Sequence, residues 1–261
     1  MRNCIRVSIC GLALTAAFGM SRTARAESVT ATLVTIDPYV AGTVHLDGAG
    51  DISGGIAEIV WQGDANNASP FNGTFDTYCI DLVEDIYLGS TYTYTVGSVA
   101  NSPKSNAFPN GNPNGMGTAK FNEIAELYGQ HFAETLPSVN GDQREAFQLA
   151  IWNILYDTDT SVSTGDGSFY AEGNVSGDAI NIANGWLVDA SNPTNEANFH
   201  ATDLVSLIGD RGVQDQITID PNITISTGAP LPNAALGGSL ILAGLTAARA
   251  WKRRQELARV I

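Results

Sequence analysis

A cysteine thiol and a glutamine carboxamide can condense with loss of ammonia. The product is a thioester, an acyl group activated toward amines and hydroxyls. Two residues of this 261-residue chain invite that chemistry. Cys79 lies in Thr77-Tyr78-Cys79-Ile80-Asp81-Leu82, and Gln148 lies in Glu145-Ala146-Phe147-Gln148-Leu149-Ala150-Ile151-Trp152. The other cysteines, Cys4 and Cys10, fall in an N-terminal stretch with the pattern of a removable export signal. A lone cysteine in an exported chain calls for a free thiol, an intermolecular bridge or another covalent bond. Gln148 sits mid-helix between apolar neighbours, where an amide is costly unless its donors and acceptor are paired. Plain roles stay open to both residues: Cys79 as a small buried apolar group, Gln148 as a hydrogen-bonded core amide.

Other chemistry is less well provided for. His45, His131 and His200 are the histidines of the chain, and no two have metal-ligand spacing, so no metal site is expected. A Cys79–His131 pair would be the route to nucleophilic hydrolase or transferase catalysis, but His131 falls on the Leu127 face of its predicted helix, which points to a structural role. Asp81, Glu84 and Asp85, and separately Asp157, Asp159 and Asp166, form acidic clusters without the spacing of an EF-hand loop. No glycine-rich phosphate loop and no Ser-His-Asp pattern is present.

The ends of the chain are built alike. Residues 1–26 combine Arg2 and Arg6, an apolar run from Ile9 to Met20, and Ala24-Arg25-Ala26 at the expected cleavage position. Residues 228–261 combine Gly228-Ala229-Pro230-Leu231-Pro232-Asn233, an uncharged run over 234–248, and a basic tail with Arg249, Lys252, Arg253 and Arg254. This C-terminal design resembles the PEP-CTERM class of exosortase-recognised sorting signals, with Pro230-Leu231-Pro232 where Pro-Glu-Pro is typical. The resemblance implies export to the cell surface or an extracellular matrix, with membrane attachment through 234–248 before any processing.

Between these ends the chain is strongly acidic. It holds all of the 27 Asp and Glu residues except Glu256, against Lys104, Lys120, Arg144 and Arg211. Such charge excludes nucleic acid and anionic lipid as partners. Residues 27–227 suffice for one domain with a real core. Residues 28–36, 43–46, 56–61, 74–82 and 91–96 read as strands, the last through strict alternation in Thr91-Tyr92-Thr93-Tyr94-Thr95-Val96. A loop rich in Asn, Pro and Gly occupies 99–117. Phe121, Ile124, Ala125, Tyr128 and Phe132 then recur at helical spacing. A second helix over 142–156, apolar on nearly every side, is expected to be buried. Residues 158–177 read as a loop, 178–190 as a helix, 202–208 as a short helix and 216–225 as closing β structure. The order predicts an α+β fold: a β-sandwich or barrel with a helical insertion.

The two central segments together carry a second resemblance. Tyr78-Cys79-Ile80-Asp81 and Phe147-Gln148-Leu149-Ala150-Ile151-Trp152 are similar to the paired signature motifs of bacterial thioester domains, surface modules of covalent adhesion. Over residues 27–227 the resemblance implies that Cys79 is the thiol and Gln148 the acyl donor. It also implies Tyr78 and Trp152 as aromatic cover and Asp81 as an orienting group. The domain would be a single-turnover reagent rather than an enzyme, using no cofactor. Its partner would be an unknown surface or matrix macromolecule bonded through Gln148. Two alternatives stay open: a non-covalent extracellular binding module, and the Cys79–His131 hydrolase or transferase.

Overall fold

A computed structural model describes residues 27–67, 71–103, 115–136, 141–192 and 204–220. The expected export signal (1–26), the C-terminal sorting signal (228–261) with its apolar run, and His200 lie outside these residues.

The fold is α+β and the β layer is a closed barrel. Its strands are β1 (Ser28–Asp37), β4 (Glu58–Gly63), β5 (Thr74–Cys79), β6 (Thr91–Gly97), β8 (Leu204–Ile208) and β9 (Gln216–Ile219). Around the barrel the order is β1-β4-β5-β9-β8-β6, every neighbouring pair antiparallel. Closure leaves no barrel edge unpaired. A second sheet, ordered β3-β2-β7, joins β2 (Ala41–Leu46), β3 (Gly50–Gly55) and β7 (Phe169–Glu172). Three helices, α1 (Gly117–His131), α2 (Gly141–Tyr156) and α3 (Gly177–Ser191), are inserted between β6 and β8.

Alternating strands and a helix apolar all round build one core. Val29, Ala31 and Leu33 of β1 point inward with Trp61 of β4 and Tyr94 of β6. The rings of Trp61 and Tyr94 meet edge to face at 5.5 Å. From Ala146 to Leu155 every residue of α2 is buried, as its composition predicts. Phe147 of α2 meets Tyr78 of β5 and Tyr128 of α1 at 4.8 and 4.9 Å between ring centres, which fixes the helix against the barrel.

Several sequence expectations need correction. Residues 204–208 form strand β8 rather than a helix. Pairing with β6 on one side and β9 on the other closes the barrel, and that pairing outweighs the weak local preference. The segment 158–177, read as all loop, contains β7, whose buried Phe169 and Ala171 lie against β2. β3 was not anticipated, because Gly50-Asp51-Ile52-Ser53-Gly54-Gly55 has little β propensity and owes its conformation to pairing with β2. The strand expected over 74–82 stops at Cys79, where the chain turns so that Asp81 can meet the Cys79 sulfur.

Candidate functional site

Cys79 is the last residue of β5, and the register explains what lies beside it. β5 pairs with β9 through Tyr78 opposite Ile217 and Cys79 opposite Gln216. The Ile80 N–H continues toward that side, donating to the Asp215 carbonyl at 3.1 Å. On the other side Thr77 pairs with Ile59 of β4. β4 begins at Glu58, so it has no residue left to pair with Cys79. The Gln148 side chain fills that place. The Cys79 N–H donates to Gln148 Oε1 at 2.8 Å, and Gln148 Nε2 donates to the Cys79 carbonyl at 2.8 Å. Both residues are buried, 2 % and 1 % exposed.

The thiol is held separately. Cys79 Sγ donates to the Asp81 carbonyl at 3.1 Å and accepts from the Asp81 N–H at 3.3 Å. Burial pushes the thiol pKa well up, and the Asp81 carboxylate adds to the effect. The Asp81 backbone and the Trp152 indole act in the opposite direction, and the more distant Asp215 carboxylate again raises it. The sulfur is therefore a neutral thiol at neutral pH. The Trp152 Nε1–H is buried and falls short of a hydrogen bond of good geometry.

The loop after Cys79 is tied from several directions. Asp81 Oδ1 accepts from the Val83 N–H at 3.1 Å. Tyr156 Oη, at the end of α2, accepts from the Leu82 N–H at 3.1 Å and donates to the Ile80 carbonyl at 3.4 Å. Glu84 Oε1 accepts from Gly212 N–H at 3.0 Å. On the β9 side, Thr77 Oγ1 donates to Gln216 Oε1 at 3.1 Å, and Trp61 Nε1 donates to Thr77 Oγ1 at 2.9 Å. Asp215 Oδ1 accepts from Gly209 N–H at 2.8 Å. Tyr156, Asp215 and Gln216 thus position the Cys79 strand end. Of these, sequence reading places Gln216 in the closing β segment over 216–225 and gives none of the three a role at the site. Buried carboxylate and carboxamide side chains next to a strand were the available signal.

A cleft of about 100 Å³ leads to Cys79. Cys79 and Trp152 lie on it, with Ile36 and Ile59 of the barrel, Leu82 and Ile86 of the following loop, and the β3 backbone at Ser53, Gly54 and Gly55. Trp152 is 4 % exposed and stands beside the sulfur in the cleft. Tyr78 is in the packed layer behind, against Phe147 and Tyr128, and does not line the cleft.

The remaining candidates are engaged elsewhere. His131 Nδ1 lies 2.9 Å from Glu134 and Nε2 3.4 Å from Asp189, and the ring stacks on Trp186 at 4.9 Å. It serves the α1–α3 contact and is not aimed at Cys79. His45 bonds Asp51 at 2.7 Å and stacks on Tyr170. Asp157 Oδ2 accepts from the Ser168 and Phe169 N–H groups, and Asp159 Oδ1 from the Ser161 N–H, so these carboxylates shape their own loop. Among the described residues no group of three or more His, Cys, Asp or Glu side chains is placed to hold a metal ion, and no helix is long and apolar enough to cross a membrane.

No protein-family model, curated protein or solved structure matches this chain.

Proposed function

We propose that this is an exported domain in which Cys79 and Gln148 close an internal thioester, which then bonds once to an amine- or hydroxyl-bearing surface or matrix partner. The observation that carries this reading is the double hydrogen bond between the Gln148 carboxamide and the peptide groups of Cys79. It fixes the acyl carbon beside the residue that bears the thiol, so ring closure is intramolecular, with the large effective molarity that proximity supplies.

The same contacts suit the chemistry. The Cys79 N–H lies on the oxygen where negative charge develops as sulfur adds to the carbonyl carbon, a donor already in place. In ring closure the C–S bond forms and the C–N bond breaks. The thiol proton leaves with the amide nitrogen as ammonia. In the later opening, the partner's nitrogen or oxygen bonds to the same carbon, the C–S bond breaks, and the partner's proton ends on Cys79. No neighbouring histidine is required for either step.

A second reading has an observation in its favour. The Gln148 amide makes good hydrogen bonds as it stands, and Cys79 is a free buried thiol. A non-covalent binding module would use both residues structurally. Intact mass of the purified protein separates the two. The thioester reading expects a mass lower by one ammonia, restored by methylamine as an adduct on Gln148 with a newly titratable thiol at Cys79. A mass equal to that of the unmodified sequence, with no adduct, refutes the thioester.

A further inference from the structure

We infer that Arg144 is a positioning residue for ring closure: docked on the carboxylates of Asp37 and Glu58, it fixes α2 on the barrel rim one turn before Gln148. The inference rests on the thioester reading and adds to it a residue that sets the geometry of the reacting pair.

The first observation is what apolar packing leaves undecided. Every residue of α2 from Arg144 to Leu155 is buried. Hydrophobic burial has no direction, so a helix apolar on nearly every side packs almost as well in several rotations about its axis. A slip of one residue turns the helix by about 100° and shifts it by about 1.5 Å, which takes the carboxamide off the Cys79 peptide groups. Directional polar contacts must select the register.

The second observation is where Arg144 stands. It is the fourth residue of α2, where the helix dipole disfavours a cation, and it is buried, where an unpaired charge is costly. Its Nη1 lies 2.7 Å from Asp37 Oδ2 and 3.6 Å from Glu58 Oε2. Asp37 and Glu58 face each other in register, where β1 ends and β4 begins. Gln148 follows Arg144 by four residues, on the same side of the helix. Ile59 of β4 faces Thr77 of β5, so the strand ends at Glu58 and Cys79 are neighbours on the rim. The rise of one helical turn, about 5.4 Å, is close to the spacing of about 4.8 Å between adjacent strands. Successive turns of α2 thus meet successive strand ends: Arg144 that of β4, and Gln148 that of β5.

The third observation is the kind of contact. Nη1 reaches both carboxylates, and Nε is buried without a hydrogen-bond partner. The pairing is that of a point charge rather than of a bidentate fork. Buried ion pairs add little stability over apolar packing, and their best-attested use is to fix register.

The test follows ammonia loss by intact mass in the full-length chain made by cell-free synthesis, sampled at intervals after synthesis is stopped. Parent, Arg144→Lys, Arg144→Met, Asp37→Asn and His131→Ala are compared, and urea denaturation establishes that each is folded. Arg144→Met should close about tenfold more slowly than the parent, and Asp37→Asn, at an exposed position, about threefold. Arg144→Lys keeps the point charge and should stay within about twofold of the parent. His131→Ala loses contacts between α1 and α3 and should close at the parent's rate, which separates positioning from a modest loss of stability. A folded Arg144→Met that closes like the parent overturns the inference. If Arg144→Met does not fold, Asp37→Asn decides, and closure at the parent's rate overturns it. So does slowing of His131→Ala as large as that of Arg144→Met, or of Arg144→Lys as large as that of Arg144→Met. A parent that never loses ammonia overturns the thioester reading and this inference together. A parent that loses ammonia but whose Arg144 and Asp37 variants close like it overturns this inference alone.

Discussion

The carboxamide of Gln148 stands where a strand would stand. It accepts from the Cys79 N–H and donates to the Cys79 carbonyl, both at 2.8 Å, on the side of β5 that β4 no longer reaches. One side chain therefore completes the barrel's hydrogen bonding, and in the proposed thioester the same carboxamide would supply the acyl carbon.

That double role predicts an asymmetry between the two partners. Gln148→Ala leaves a buried N–H and a buried carbonyl of Cys79 unpaired, at about 1–3 kcal/mol each. Cys79→Ser keeps the peptide contacts and changes only a small buried group. Both variants should lose amine attachment, but Gln148→Ala should unfold at clearly lower urea concentration. Equal midpoints would show that the carboxamide is not holding the strand end.

Trp152 stands in the cleft beside Cys79, so it should govern how long a thioester survives in water. Trp152→Phe keeps much of the packing, and Trp152→Ala opens the cleft further. The fraction of protein still able to bond methylamine after storage should fall fastest in Trp152→Ala and at an intermediate rate in Trp152→Phe. Retention equal to the parent's in both variants would remove the shielding role.

His131 is committed to Glu134, Asp189 and Trp186. His131→Ala should lower stability modestly, by about 1 kcal/mol. It should leave both the loss of ammonia and the single amine addition intact. Repeated turnover of a substrate that depends on His131 and not on Gln148 would instead establish the hydrolase or transferase alternative.

Buried Glu58 and Arg144, with the exposed Asp37 and Asp76 beside them, predict a pH dependence of stability. Burial, and then the nearby Asp76 carboxylate, raise the Glu58 pKa from 4.5 to about 7, with Arg144 opposing. Between those values the folded protein holds a proton that the unfolded chain has released. Its contribution is therefore fully present below pH 4.5 and is lost as pH rises toward 7. With solvent screening allowed for, the loss is roughly 1–2 kcal/mol. Urea midpoints of the parent should fall between pH 5 and pH 8, and those of Glu58→Gln should fall less. Identical falls would assign the dependence to other groups.

Local pattern made much of the fold legible. The alternation of residues 91–96 and the β-branched run of 28–36 became barrel strands, and the all-apolar face of 146–155 became a fully buried helix. β7 and β8 are hard to read locally because they are held by partners distant in sequence, β2 and β6. β3 is held by its hairpin neighbour β2, and Gly50-Asp51-Ile52-Ser53-Gly54-Gly55 carries almost no strand preference of its own.

The site divides in the same way. Residue type and surroundings alone singled out Cys79 as an isolated thiol and Gln148 as an amide in a buried helix, because a buried polar group must find a partner. Which partner each finds was a matter of tertiary structure. Barrel register ends β4 one position short of Cys79, and helix packing sets Gln148 into the gap. The cleft likewise depends on distant segments: Gly54 from the small sheet, Asp85 from a loop and Trp152 from α2 line it together with Cys79. No local pattern encodes that meeting, since the segments are joined only by the closure of the barrel and the packing of the insertion against it.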